Sequence, residues 1–160
     1  MRSRKIDPKY SQFFLDTCAF DPKYSPEDKS ASDLWAMYRD EKIALVLAHS
    51  NQRELDHPNT PQWVRRQAAS MIFTIEVGLT PAEKRRLEAL EDLIQGNAMP
   101  GKHSDDAMHL FQASKYGGYF VTTDTRLLKM SAEIFRLCSV VVLLPSEVKE
   151  AIGDGALNER

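Results

Sequence analysis

Four runs of consecutive apolar residues constrain this chain more than any other feature: Gln12-Phe13-Phe14-Leu15, Ile43 to Ala48, Tyr119 to Val121 and Val140 to Leu144. A strand wetted on one face would alternate apolar and polar residues, and none of these does, so each predicts a strand covered on both faces. Between them the apolar residues recur at helical spacing. Strands alternating with helices are the signature of an α/β fold with a mainly parallel sheet covered by helices on both sides.

The helix signals fill in the connections. Ser30 and Asp33 introduce a helix with Leu34, Trp35, Met37 and Tyr38. A helical turn starts at His49. Thr60-Pro61 is a cap and first-turn pair for a helix through Val64, Ala68, Met71, Ile72 and Ile75. Thr80-Pro81-Ala82-Glu83 is a capping box, and its helix carries Leu87, Leu90, Leu93 and Ile94 to Gly96. These two helices form an insertion at about 60–96 between the second and third strands, a candidate wall of a substrate groove or a partner surface. Ser104 is a natural N-cap for a helix that Gly117-Gly118 stops. Leu127 to Leu137 predicts another helix, Pro145 starts the last, and the end from Gly153 is expected to fray. At 160 residues, 42% of them hydrophobic, the chain is expected to form one domain spanning 1–160.

In parallel α/β sheets ligands bind beyond the carboxyl ends of the strands. Acids gather there: Asp16 follows the first strand, Glu54 lies one to two turns into the segment after the second, Asp106 opens the helix before the third, and Asp124 follows that strand. Singly, Asp16 is an ordinary turn cap and Glu54 an ordinary solvated glutamate. Together, without paired lysines or arginines, they would repel one another strongly, and a divalent cation is the economical compensation. An all-oxygen donor set suits Mg²⁺ or Mn²⁺ better than zinc, and such ions activate water and stabilise the charge that builds on a phosphodiester.

A net charge of −2 excludes a grip on nucleic acid through overall positive charge, so any contact must be local. Trp63, Arg65 and Arg66 offer stacking and phosphate contact, but the solvated basic face of an amphipathic helix explains them better. Cys18 and Cys138 lack zinc-site spacing and are expected to be reduced thiols. His49, His57, His103 and His109 have no mutual ligand spacing and read as structural or surface residues. The polar stretch Met1 to Gln12 has no apolar segment of a secretion signal, and no run is long enough to span a bilayer, which predicts a cytoplasmic protein.

Four segments resemble the motifs of the PIN domain, the nuclease fold that includes VapC-type toxins: Phe-Leu-Asp16-Thr-Cys-Ala, Glu54-Leu55, Asp106-Ala with Ala113, and Thr122-Thr-Asp124. The resemblance spans nearly the whole chain and implies a PIN-like three-layer fold. It also implies that Asp16, Glu54, Asp106 and Asp124 bind Mg²⁺ or Mn²⁺ and cut single-stranded RNA, in the setting of a toxin and antitoxin pair. It favours Asp106 over Asp105. Cys18 stands where the family often has serine or asparagine, and the helical insertion is longer than in compact toxins. Single-stranded RNA is the implied substrate, and an antitoxin or a second copy of the chain, as in a homodimer, is a candidate protein partner. The alternative is a catalytically idle PIN scaffold that binds RNA or a protein through the insertion.

Overall fold

Phe13 and Phe14 point to opposite sides of one strand, and the two cores they enter define the architecture. The structure is a computed structural model that describes residues 7, 11–20, 22–72, 77–97 and 103–153. From β1 (Gln12–Leu15), Phe13 and Leu15 enter the first core and Phe14 the second. A 3-10 turn at Thr17–Ala19 leads to α1 (Glu27–Arg39), which adds Leu34 and Met37 to the first core. β2 (Ala44–Val46) follows, then a 3-10 turn at His49–Asn51 that runs into α2 (Gln52–Leu55).

The two helices expected as an insertion, α3 (Gln62–Ala69) and α4 (Pro81–Gln95), go to opposite faces. Val64 and Ala68 of α3 join the first core, and Leu90 and Ile94 of α4 join the second. There α4 packs along α5 (Ser104–Tyr116), which contributes Leu110 and Phe111. The chain continues through β3 (Tyr119–Val121), α6 (Thr125–Lys129), α7 (Ser131–Cys138), β4 (Val141–Leu143) and α8 (Pro145–Ile152). Helices α6 and α7 cover the Phe14 side with Leu127 and Ile134, and α8 covers the Phe13 side with Val148 and Ile152.

All four strands are parallel, in the order β2-β1-β3-β4. The expected α/β fold, three layers with a parallel sheet between helices, is therefore what forms. From β1 the chain moves one way along the sheet over α1, and from β3 it moves the other way over α6 and α7 on the opposite face. Right-handed crossovers in opposite directions require opposite faces. The reversal opens a crevice between the adjacent carboxyl ends of β1 and β3, the topological switch point where α/β folds bind ligands.

The differences from expectation have local causes. Helix α3 stops at Ala69, and Ile72 instead forms a parallel bridge with Leu47, whose N–H donates to the Met71 carbonyl at 2.9 Å. The edge of β2 leaves that N–H in need of a partner; Ile75, expected in the same helix, lies outside the described residues. Helix α1 begins at Glu27 because that buried carboxylate accepts hydrogen bonds from the Ser146 N–H at 2.9 Å and its hydroxyl at 2.7 Å, tying the start of α1 to the start of α8. His103 rather than Ser104 occupies the cap position of α5, where Asp105 and Asp106 place negative charge against the positive helix end. The helix expected over 127–137 divides at Met130. Among the described residues no helix is long and apolar enough to cross a membrane.

Candidate functional site

The crevice is a cavity of about 760 Å³, and Asp16, Glu54, Asp106 and Asp124 all line it. Asp106 rather than Asp105 faces it. Four segments far apart in sequence thus bring their acids to one place, each carried by an element end that the sheet topology aims at the same edge.

Asp16 follows β1 directly, and its N–H continues the ladder by donating to the Val121 carbonyl at 2.8 Å. Its carboxylate is only 5% exposed and accepts a hydrogen bond from the Thr122 hydroxyl at 2.8 Å. That hydroxyl in turn accepts the Asp124 N–H at 3.0 Å, and the Cys18 thiol lies 3.4 Å from it. Thr122, fully buried at the end of β3, therefore fastens the Asp16 and Asp124 segments together; as a plain β-branched strand residue it would have had no such part. Asp124 accepts the Arg126 N–H at 2.9 Å and so caps α6 while facing the cavity.

Glu54 comes from the opposite wall and is bonded at both oxygens. Oε1 lies 3.1 Å from Nε2 of His109, and Oε2 accepts the Thr17 hydroxyl. His109 is fully buried on α5, with Nδ1 2.7 Å from the Ser50 hydroxyl. Expected from the sequence to be a structural or surface residue, it is a buried structural one, and the group it holds is a carboxylate of the acid cavity. A signal was present: His109 stands three residues after Asp106 on one helix, which carries it behind the same group of acids, although only Asp106 lines the cavity.

The expectation of carboxylates without basic partners is also corrected. Arg126 Nη2 lies 3.0 Å from Asp106 Oδ2 and 3.0 Å from His103 Nδ1, while Nη1 donates to the Ile94 carbonyl at 2.8 Å. His103 Nδ1 is 3.5 Å from the same Asp106 oxygen. Part of the compensating charge is therefore supplied by the protein.

Burial, reinforced by the negative charge of Glu54 and Asp106, pushes the Asp16 carboxyl up to about 6 against the opposing pull of His109 and the Thr122 hydroxyl. Burial likewise raises Asp106, helped by Asp124 and Glu54 and opposed by His109 and Arg126. Burial acts to raise Glu54 too, but the hydrogen bond and charge of His109 and the Thr17 hydroxyl outweigh it and hold this carboxyl low. His109 is the mirror case: burial disfavours its charge, yet the Glu54 hydrogen bond and the acids around it keep its pKa raised.

Among the described residues, Asp16, Glu54 and His109 form a group whose donor atoms all lie within 4.8 Å of one another, close enough to share one cation. Asp106 and Asp124 face the same space with their carboxylates turned to Arg126 and to the α6 backbone. The chain matches no family model, no curated protein and no solved structure. The PIN resemblance therefore stands on the four motif segments alone.

Of Trp63, Arg65 and Arg66, expected to be part of a solvated helix face, Arg65 is committed to structure, since its Nη2 donates to the His57 carbonyl at 2.6 Å. Arg66 is exposed. Trp63 is also exposed, on the first turn of the helix whose Pro61 and Val64 wall the acid cavity.

Proposed function

We propose that this chain is a divalent-metal-dependent endoribonuclease that hydrolyses phosphodiester bonds of single-stranded RNA. The observation that carries the reading is the convergence of Asp16, Glu54, Asp106 and Asp124 from four chain segments on one cavity at the switch point of the sheet. The donor set fits a cation: Asp16 and Glu54 offer oxygens within 4.8 Å of each other, and the strain of burying Asp16 among other acids is what a bound positive charge relieves. Oxygen donors suit Mg²⁺ or Mn²⁺, and a deprotonated His109 nitrogen is a ligand that Mn²⁺ accepts more readily than Mg²⁺.

In this reading Asp16 and Glu54 hold the ion, the first oriented by Thr122 and the second by Thr17 and His109. When bound, the ion supplies an activated water and offsets charge on the phosphate under attack. Asp106, whose proton affinity burial raises and whose carboxylate Arg126 fixes, would be the proton acceptor at this edge of the cavity. Asp124 keeps the fourth side of the cavity negative. A phosphate approaching four acids is repelled, so binding at this point depends on the cation. The PIN resemblance suggests the toxin of a toxin and antitoxin pair as the setting, and cytoplasmic RNA as the target.

A second reading, a scaffold that binds RNA or protein without cutting, is favoured by one observation: His109 and Arg126 already partner Glu54 and Asp106. Incubation of the purified protein with labelled single-stranded RNA separates the two. The nuclease cuts with Mn²⁺ or Mg²⁺, stops in chelator, and loses about a hundredfold or more in rate as Asp16→Asn. RNA retained uncut with every divalent ion supports the scaffold, and cutting that continues in chelator removes the metal mechanism.

A further inference from the structure

Beside the acid cavity, and sharing Phe20 with it as a wall, lies a second cavity of about 260 Å³ between α1 and α3. Trp35 and Trp63 line it, with Arg39, Gln67 and Asp28 supplying its polar edge. Trp35 is a fixed surface: its ring packs against Phe20 with centroids 5.2 Å apart, and its Nε1 donates to the Phe20 carbonyl at 3.1 Å. Trp63 is 48% exposed, and the apolar cores do not include it. Its indole is therefore open to an occupant of this cavity.

We propose that this second cavity is a subsite for one unpaired nucleobase of a single-stranded nucleic acid whose backbone passes the acid cavity. Two indoles offer the π-faces on which a planar heterocycle stacks. The guanidinium of Arg39, the amide of Gln67 and the carboxylate of Asp28 offer both donors and acceptors, and every nucleobase edge presents both. A purely aliphatic occupant would use none of these groups. The position also suits a nucleotide: Pro61 and Val64 of one cavity and Trp63 and Gln67 of the other belong to one short stretch, so neighbouring parts of one ligand can occupy both. The inference deepens the nuclease reading by giving the substrate a base-dependent foothold outside the catalytic acids, and only the phosphate's position rests on that reading.

The test is made first in chelator, so that no cutting intervenes. Tryptophan fluorescence of the full chain is titrated with hexauridylate, hexaadenylate and an abasic six-unit oligomer of equal charge. The base-containing oligomers are expected to quench, and the abasic one to bind about tenfold more weakly, the loss of roughly 1.4 kcal/mol that one stacked base supplies. Trp63→Ala, an exposed position, should abolish the difference between the two kinds of oligomer. Arg39→Gln, on the exposed face of α1, should reduce it. With Mn²⁺ added, Trp63→Ala should raise KM about tenfold at unchanged kcat. Equal binding of the abasic oligomer, or a Trp63→Ala protein that keeps the base dependence, overturns the subsite. So does self-association of the wild type that Trp63→Ala abolishes without any base-dependent binding, which would make this a protein-binding face. Base-dependent binding with no cleavage under any divalent ion keeps the subsite and removes the nuclease reading. Cleavage by Trp63→Ala at wild-type KM does the reverse.

Discussion

The two walls of the acid cavity treat their carboxylates differently. On the strand wall, Asp16 and Asp124 are met by the Thr122 hydroxyl and by a backbone N–H of α6, groups that aim an oxygen without neutralising it. On the helix wall, Glu54 and Asp106 are met by His109 and Arg126, which do both. The consequence is visible in proton affinity: burial pushes Asp16 up to about 6, whereas Glu54, partnered by His109, is held below its ordinary value against the same pressure. The difference teaches that crowding acids need not make every one of them strained. On the helix wall the balance is complete only at Glu54, because burial still raises Asp106 despite the Arg126 guanidinium beside it.

The strongest way to break this comparison is to remove the charge of Asp16. Its folded pKa of about 6 exceeds its unfolded value, so the folded state binds the extra proton. Stability in chelator should therefore fall as pH rises from about 4 to about 6, by about 3 kcal/mol, and then level with respect to this group. His109 adds a second decline, since its raised folded pKa contributes stability that is present below about 6.5 and lost as pH rises through the folded value. Glu54 works in the other direction, its stabilisation being lost only as pH falls through its depressed folded pKa. Denaturant melts of Asp16→Asn across pH 4 to 8 should lack the first decline and show a more stable metal-free protein at pH 7. A wild-type profile that rises through that window would show that Asp16 is not under the pressure described.

The next effect belongs to the helix wall. His109→Gln keeps a polar group but cannot carry charge or reach both Ser50 and Glu54 as the ring does, and should cost about 2 kcal/mol in chelator at pH 6. Added Mn²⁺ should recover part of that loss, because the freed Glu54 gains a new positive partner. Equal melting temperatures for the variant and the wild type would mean that the imidazole does not neutralise this wall.

The smallest effect sharpens the strand wall by separating the two tasks of Asp124. Asn caps a helix about as well as Asp, so Asp124→Asn should melt close to the wild type, while Asp124→Ala should lose about 1 kcal/mol with its cap. Both should respond less to Mn²⁺ than the wild type does. If Asn and Ala variants respond to metal as fully as the wild type, Asp124 serves the helix alone.

Much of this fold was legible because burial on both faces leaves a plain mark: β1 and β3 occupy the apolar runs at 12–15 and 119–121. The four acids were legible as positions, since each lies at an element end and parallel topology sends those ends to one edge. Their partners were not. Arg126 reaches Asp106 only because α6 is packed where its other nitrogen finds the Ile94 carbonyl at the end of α4, a meeting no local pattern encodes. Ile72 left its expected helix because a distant strand edge needed an acceptor beside it. The split destinations of α3 and α4 depend likewise on which sheet face each can cover, while the sequence shows only that both are amphipathic.

Asp106 and Asp124 are the two ends of a single folded-back piece, α5 running away from the site and β3 returning to it, with Gly117 and Gly118 at the far bend. Gly118 holds a positive φ of 94°. A Cβ on Gly117 would stand 2.6 Å from Cε2 of Phe14, so that bend is seated directly on the ring of the central strand. The thirteen residues of α5 span about 20 Å back to the end that carries Asp106. The return of the chain from Asp106 to Asp124 thus passes through a point where the Phe14 ring leaves no room for a side chain.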